Sequence, residues 1–135
     1  MGFLGDDPVS SISVVRYGDA YGFLGFYILH PDHRGTGAGI ATWRAGTNHL
    51  SGRYVELEGV VDQQGNYRKS GFVLAGRNVR YTGIPVPGDV AGISLRPPVG
   101  DDLDRIVTLD PRYFPADRSG FITEWVLPRD PSTRR

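Results

Sequence analysis

Residues 34 to 40, "RGTGAGI", place three glycines within five residues behind an arginine. Glycine lets consecutive backbone N–H groups turn toward an anion without a Cβ in the way, and a helix starting there adds unsatisfied donors and a positive dipole end. The chemistry open to such a loop is phosphate or pyrophosphate binding without lysine. The plain alternative is a tight corner between a strand and a helix. A dinucleotide fingerprint needs G-x-G-x-x-G directly after a strand. Counted from Gly35 the third glycine position holds Ile40, counted from Gly37 it holds Thr42, and "HPDHR" separates the strand from the first glycine. A Walker A loop also fails, because no G-K-[ST] follows. The pattern that fits is arginine, two residues, glycine, one residue, glycine, met by Arg34, Gly37 and Gly39. His30 and His33 flank Pro31 and Asp32 beside this loop; a metal would want a third ligand on rigid structure, so no metal site is assigned.

The elements that must position the loop follow from turn residues and periodicity. "GFLGDDPVSSISVVRYGDAYGFLGFYIL" reads as three extended segments separated by "GDDP" and "GDAYG", an antiparallel meander. The third, Phe23 to Leu29, is almost wholly apolar and is expected at the sheet centre, buried on both faces. "GIATWRAGTNHL" sets Ile40, Trp43, Thr47 and Leu50 on one helical face. Then "RYVELEGVV" predicts a strand, "QQGNYRKSG" a short helix closed by Gly71, and "FVLAGRNVRYTG" another strand. Residues 83–92, "GIPVPGDVAG", have linker composition. Beyond them "ISLRP" predicts a short strand, "DDLDRIVTLD" a helix capped by Asp101, and "PADRSGFITEWVL" a second helix with Pro115 in its first turn; "PRDPSTRR" is expected to fray.

At 135 residues the chain is large enough for one domain that buries roughly two thirds of its unfolded surface. Fifteen basic and fifteen acidic residues cancel, and they cancel again within residues 1–90 and 91–135, so bulk charge argues against a nucleic-acid or membrane-surface partner. With no cysteine there is neither a disulfide framework nor a thiolate metal site. No apolar run approaches the ~20 residues of a membrane span, and a cytoplasmic protein is expected.

"NYRKSGF", residues 66–72, decides what the loop resembles. The chain resembles the GNAT family of acetyl-CoA-dependent N-acetyltransferases, whose pyrophosphate loop follows a strand ending here in Leu29, His30 and Pro31, and whose later Y-x-x-x-G-F segment is matched by Tyr67, Gly71 and Phe72. The order of both motifs and of the elements between them matches across about residues 3–82. The resemblance implies an α/β (α+β) fold with a mixed, mostly antiparallel central sheet flanked by helices. It implies that acetyl-CoA is the acyl donor and an amine, unidentified, the acceptor. Backbone N–H groups of Gly35, Thr36, Gly37, Ala38, Gly39 and Ile40 would hold the pyrophosphate while Arg34 shapes the loop, and pantetheine would pair like a strand with Tyr27, Ile28 and Leu29. Tyr67 would protonate the departing thiolate. Glu56 and Glu58, two apart on one strand and so on one face, are each candidates for the base that takes the amine proton. Val60 stands where many members carry an asparagine, with Gln63, Gln64 and Asn66 as substitutes.

The family's opening strand and two helices are not found before Phe3, whereas the tail resembles them. Residues 1–83 are therefore read as the acyl-CoA-binding core, 84–92 as a linker, and 93–135 as the start of a second GNAT-like domain in a tandem protein. The alternative is a permuted strand-helix-helix that docks on the core, in the same chain or exchanged in a homodimer. A non-catalytic acyl-CoA-binding or scaffolding domain is the competing function.

Overall fold

The computed structural model describes residues 1–86, 88 and 91–126. The expected linker is thus described only in part, and "PRDPSTRR" lies outside the described residues.

Four strands form one sheet in the order β1 (Gly2–Leu4), β2 (Asp7–Tyr17), β3 (Tyr21–Leu29), β4 (Tyr54–Leu57). β1–β2 and β2–β3 are antiparallel and β3–β4 is parallel, so the sheet is mixed and mostly antiparallel, as the sequence implies. Gly5 and Gly18 sit in the two reversals at φ 62° and 58°, a region costly for side-chain-bearing residues. The parallel step needs a crossover. It is made by α1 (Ala38–His49), which packs on one face of the sheet over the cluster of Leu24, Trp43 and Leu50, joined by Ile12, Val14, Val55 and Leu57.

Two polar ties fix α1 on the sheet. The hydroxyl of Thr42 donates to Ala38 O at 3.0 Å, and Ser10 Oγ meets Thr42 Oγ1 at 2.6 Å, both side chains being buried. At the other end, Arg16 Nε and Nη2 donate to His49 O at 2.9 and 2.6 Å, satisfying a carbonyl that the helix leaves open.

Several expectations need correction. The buried stripe of α1 is Gly39, Thr42, Trp43 and Gly46, with Leu50 as its cap; Ile40 is exposed, because close helix–sheet packing selects small residues as well as apolar ones. β3 is buried only through Leu24: β4 pairs with Tyr21 to Leu24 and then stops, leaving Phe26 80% exposed. β4 ends at Leu57, four residues before Val61, and Val61–Gln63 form a 3-10 turn leading into α2 (Gln64–Lys69). "FVLAGRNVRYTG" is not a strand. Its recorded tie to β4's end is a side-chain bond from Asn78 Nδ2 to Glu58 Oε1, and without a strand partner its backbone has no ladder to join. "ISLRP" is not a strand either; Pro97 and Pro98 remove two donors behind it.

In the tail, α3 (Gly100–Leu109) is closed not by Asp101 but by Asp102, whose carboxylate reaches back to Val99 N–H at 2.9 Å. α4 (Ser119–Val126) begins four residues after Pro115, where Asp117 Oδ1 accepts from Ser119 N–H at 2.9 Å. Phe114, between the two helices, meets Tyr17 and Tyr21 edge-on at 5.3 and 5.2 Å, and Phe121 meets Tyr17 at 6.3 Å. These tyrosines alternate with Gly22 and Leu24, so the tail lies on the face opposite α1.

Candidate functional site

β3 ends at Leu29, a 3-10 turn covers Pro31–His33, and the glycine loop then delivers the chain to α1. Gly35 and Gly37 hold φ 78° and 91° with open space where a Cβ would stand, so backbone conformation, not crowding, demands glycine there. Thr36 folds inward: its hydroxyl donates to His33 O at 2.7 Å. Gly37 is the N-cap of α1 and offers no side chain to the helix's first N–H groups. The result is an exposed turn of amides at a helix start, open to an anion.

Gly39 is glycine for another reason. A Cβ there would stand 2.8 Å from the Tyr27 hydroxyl and 3.0 Å from Leu29 Cδ2, so β3 and the first turn of α1 approach too closely for a side chain. Burial, with Tyr67 nearby, raises the Tyr27 phenol above its ordinary pKa.

Beyond Leu24 and Leu57 the two parallel strands part, and a cleft of about 820 Å³ opens between them. β3 supplies Leu24 to Tyr27 and Leu29; the loop and α1 supply Arg34, Ile40 and Trp43; β4 supplies Leu57, and the segment after it Glu58, Val60, Gln63, Asn66 and Tyr67. Strand β3 is bulged at this rim. Ser13 pairs with Gly25 but Ser11 pairs with Ile28, and Phe26 takes φ 48°, held by Ser11 Oγ donating to its carbonyl at 3.2 Å. Among the described residues, no strand pairs with the β4-side edge of residues 25–29.

The cleft thus gathers Arg34, Ile40, Tyr27, Leu29, Glu58 and Tyr67 around one opening, with Gly35 to Gly39 at the loop end of α1 and Ile28 beside it on β3. Asn66 Nδ2 donates to Gln63 Oε1 at 2.7 Å, and both line the cleft; Gln64 does not. Glu56 is elsewhere. β4 ends between the two glutamates, and Glu56 faces away, accepting a short hydrogen bond from Tyr21 Oη, so the expected shared face does not form. Burial first, and the Glu56 hydrogen bond second, push the Tyr21 phenol far up. Tyr54 stacks on Tyr21 at 5.8 Å, and Arg118 lies 3.9 Å above the Phe114 ring while pairing with Asp110. His30 and His33 stand 5.6 Å apart, exposed or half-buried, and no group of three metal-ligating side chains forms among the described residues. No helix among them is long and apolar enough to cross a membrane. Sequence reading missed Trp43 as the floor of the cleft, although its place one turn after the glycines was visible.

No family model matches the chain. A curated protein, the holothin acyltransferase of a Pseudoalteromonas strain, is 32% identical over 125 residues, which is 93% of this chain and 42% of that protein. The solved structure of a Trypanosoma brucei acetyltransferase superposes with a TM-score of 0.50 at 25% identity, covering 58% of this chain and 61% of that one. The chain is thus similar to an acyltransferase in sequence and to an acetyltransferase in fold. A Xanthomonas campestris protein assigned to the GNAT family superposes with a TM-score of 0.49 at 28% identity, over 58% of this chain and 62% of its own. The chain therefore spans less than half the length of the curated relative and under two thirds of these structures. The α+β fold, with its mostly antiparallel sheet, is GNAT-like.

Proposed function

We propose that this chain binds acetyl-CoA in the cleft between β3 and β4 and transfers the acetyl group to an amine. The observation that carries the reading is the parting of two parallel strands after Leu24 and Leu57, with a glycine-rich turn of amides at one end of the gap. In this reading the N–H groups from Gly35 to Ile40 take the pyrophosphate and Arg34 shapes the loop. The backbone of Tyr27, Ile28 and Leu29 pairs with pantetheine as an added strand.

The thioester supplies an acyl group on a good leaving thiol. A primary amine, with a reference pKa near ~10, must shed a proton to attack. Glu58, whose Oε1 also accepts from Asn78, lines the cleft and accepts that proton directly or through water; Glu56, outside the cleft lining, is the weaker candidate. The C–N bond forms, the nitrogen loses its second proton to water, and as the C–S bond breaks the Tyr67 hydroxyl gives its proton to sulfur and is reprotonated from solvent. Of the two protons an ammonium acceptor loses, one replaces the proton carried off on the thiol and one is released, so protons and charge balance over a turnover.

The curated relative is named for holothin, which makes holothin the first acceptor to try, beside a panel of primary amines. Saturating acetyl-CoA should raise the thermal midpoint, and thiol release should depend on the acceptor. No midpoint shift and no thiol release would overturn the reading.

A further inference from the structure

Gly59 follows β4 by two residues and sits directly beside the Tyr67 ring. A Cβ built on it would lie 2.2 Å from Tyr67 Cε2, 2.8 Å from Cδ2 and 3.0 Å from Leu57 Cδ1. Its backbone is not among the glycines at positive φ, so any residue could adopt the conformation and only space excludes a side chain.

The ring has little room to yield. Trp43 also packs against it, tilted 31° with centroids 5.9 Å apart, and Trp43 is itself buried against Leu24, Leu50 and Phe72. Behind the ring, Ser70 and Phe72 N–H groups donate to Tyr67 O at 3.0 and 3.1 Å, pinning the end of the six-residue α2. The backbone at Gly59 and the buried indole together leave the ring a tight slot. A methyl at 59 must displace the phenol, which lines the cleft.

We infer that Gly59 is a positioning residue for Tyr67, its missing side chain setting where the phenol hydroxyl stands. The inference rests on the reading of Tyr67 as the proton donor to the leaving thiol. A donor displaced by about 1 Å loses on the order of a hundredfold in rate.

The test is a four-way comparison on the full chain, using acetyl-CoA with holothin and reading thiol release. Gly59→Ala should lower kcat on the order of thirtyfold to a hundredfold with KM for acetyl-CoA within about twofold, because the displaced group acts in the chemical step. In a Tyr67→Phe background the same alanine should cost less than about twofold, since the hydroxyl it misplaces is gone. Equal losses in both backgrounds, or an unchanged kcat in Gly59→Ala, would overturn the inference while leaving the Tyr67 reading intact. An unchanged kcat in Tyr67→Phe alone would instead strike the reading on which it rests. Should Gly59→Ala fail to fold, Gly59→Ala with Tyr67→Ala should restore cooperative unfolding. Failure of that pair to fold would overturn the slot itself.

Discussion

The Tyr27 hydroxyl rests against Gly39, filling the space a side chain there would take where strand β3 meets the first turn of α1. Tyr27 in turn stands edge-on to Trp43 at 5.4 Å. Gly39→Ala must push this phenol off its place, at a cost of about 1–3 kcal/mol of overpacking. Denaturant unfolding should show that loss, and Tyr27→Phe, which removes the oxygen nearest the added methyl, should return part of it. Full stability in Gly39→Ala would mean the contact is slack.

Tyr67→Phe keeps the ring and its packing on Trp43 but removes the proton. The expected result is a kcat lowered on the order of a hundredfold or more, with the acetyl-CoA-induced rise in thermal midpoint unchanged. Thiol-release kinetics beside a thermal melt check both halves.

The two glutamates should separate cleanly. Glu58→Gln should depress kcat through loss of a base within the cleft, by on the order of a hundredfold. Glu56→Gln should instead weaken the hold on the Tyr21 hydroxyl, lowering stability by about 1–2 kcal/mol while acetyl-CoA binding persists. A reversal of these two phenotypes would move the base to the other face of the sheet.

Leu50, 1% exposed, closes the core beneath Gly22 and beside Trp43. Leu50→Ala should cost about 2–5 kcal/mol, with the denaturant slope unchanged. A loss below ~1 kcal/mol would show that the sheet and α1 close over the void.

Acid should loosen the tail. Arg118 forks onto Asp110 at 2.6 and 2.8 Å, and this hydrogen-bonded guanidinium lowers the carboxylate's pKa. Because the folded value lies below the unfolded one, the pair stabilises in full above the usual carboxylate range near ~4 and is lost as pH falls through the folded value. Asp102, lowered first by Arg96 and then by Val99 N–H, behaves alike on α3. Limited proteolysis between pH 6 and pH 2, with an acid-tolerant protease, should show cutting between α3 and α4 rising at the acid end, and Asp110→Asn should flatten that rise.

What could be read from the chain beforehand divides by range. Turns at Gly5 and Gly18 and the alternation in β2 are written in adjacent residues, and so were the meander and the helix after the glycines. The buried stripe of α1 shifted because Gly39, Thr42 and Gly46 pack by being small, which a search for apolar residues passes over. β3 read as buried throughout because its composition is uniform, whereas its exposure depends on β4 stopping at Leu57 some thirty residues later. "FVLAGRNVRYTG" has the residues of a strand and no ladder to join. The separation of Glu56 from Glu58 likewise followed from where β4 ends, which no local pattern marks.

The bulge at Phe26 carries a consequence for solubility. A strand that loses its neighbour midway exposes a row of amides and carbonyls beside Phe26 and Ile28, the kind of edge on which a foreign strand can nucleate aggregation. The left-handed residue at 26 breaks the regular spacing of that row and twists it, so an ordinary extended strand cannot zip along it. The kink therefore guards the open edge against other copies of the chain without closing it.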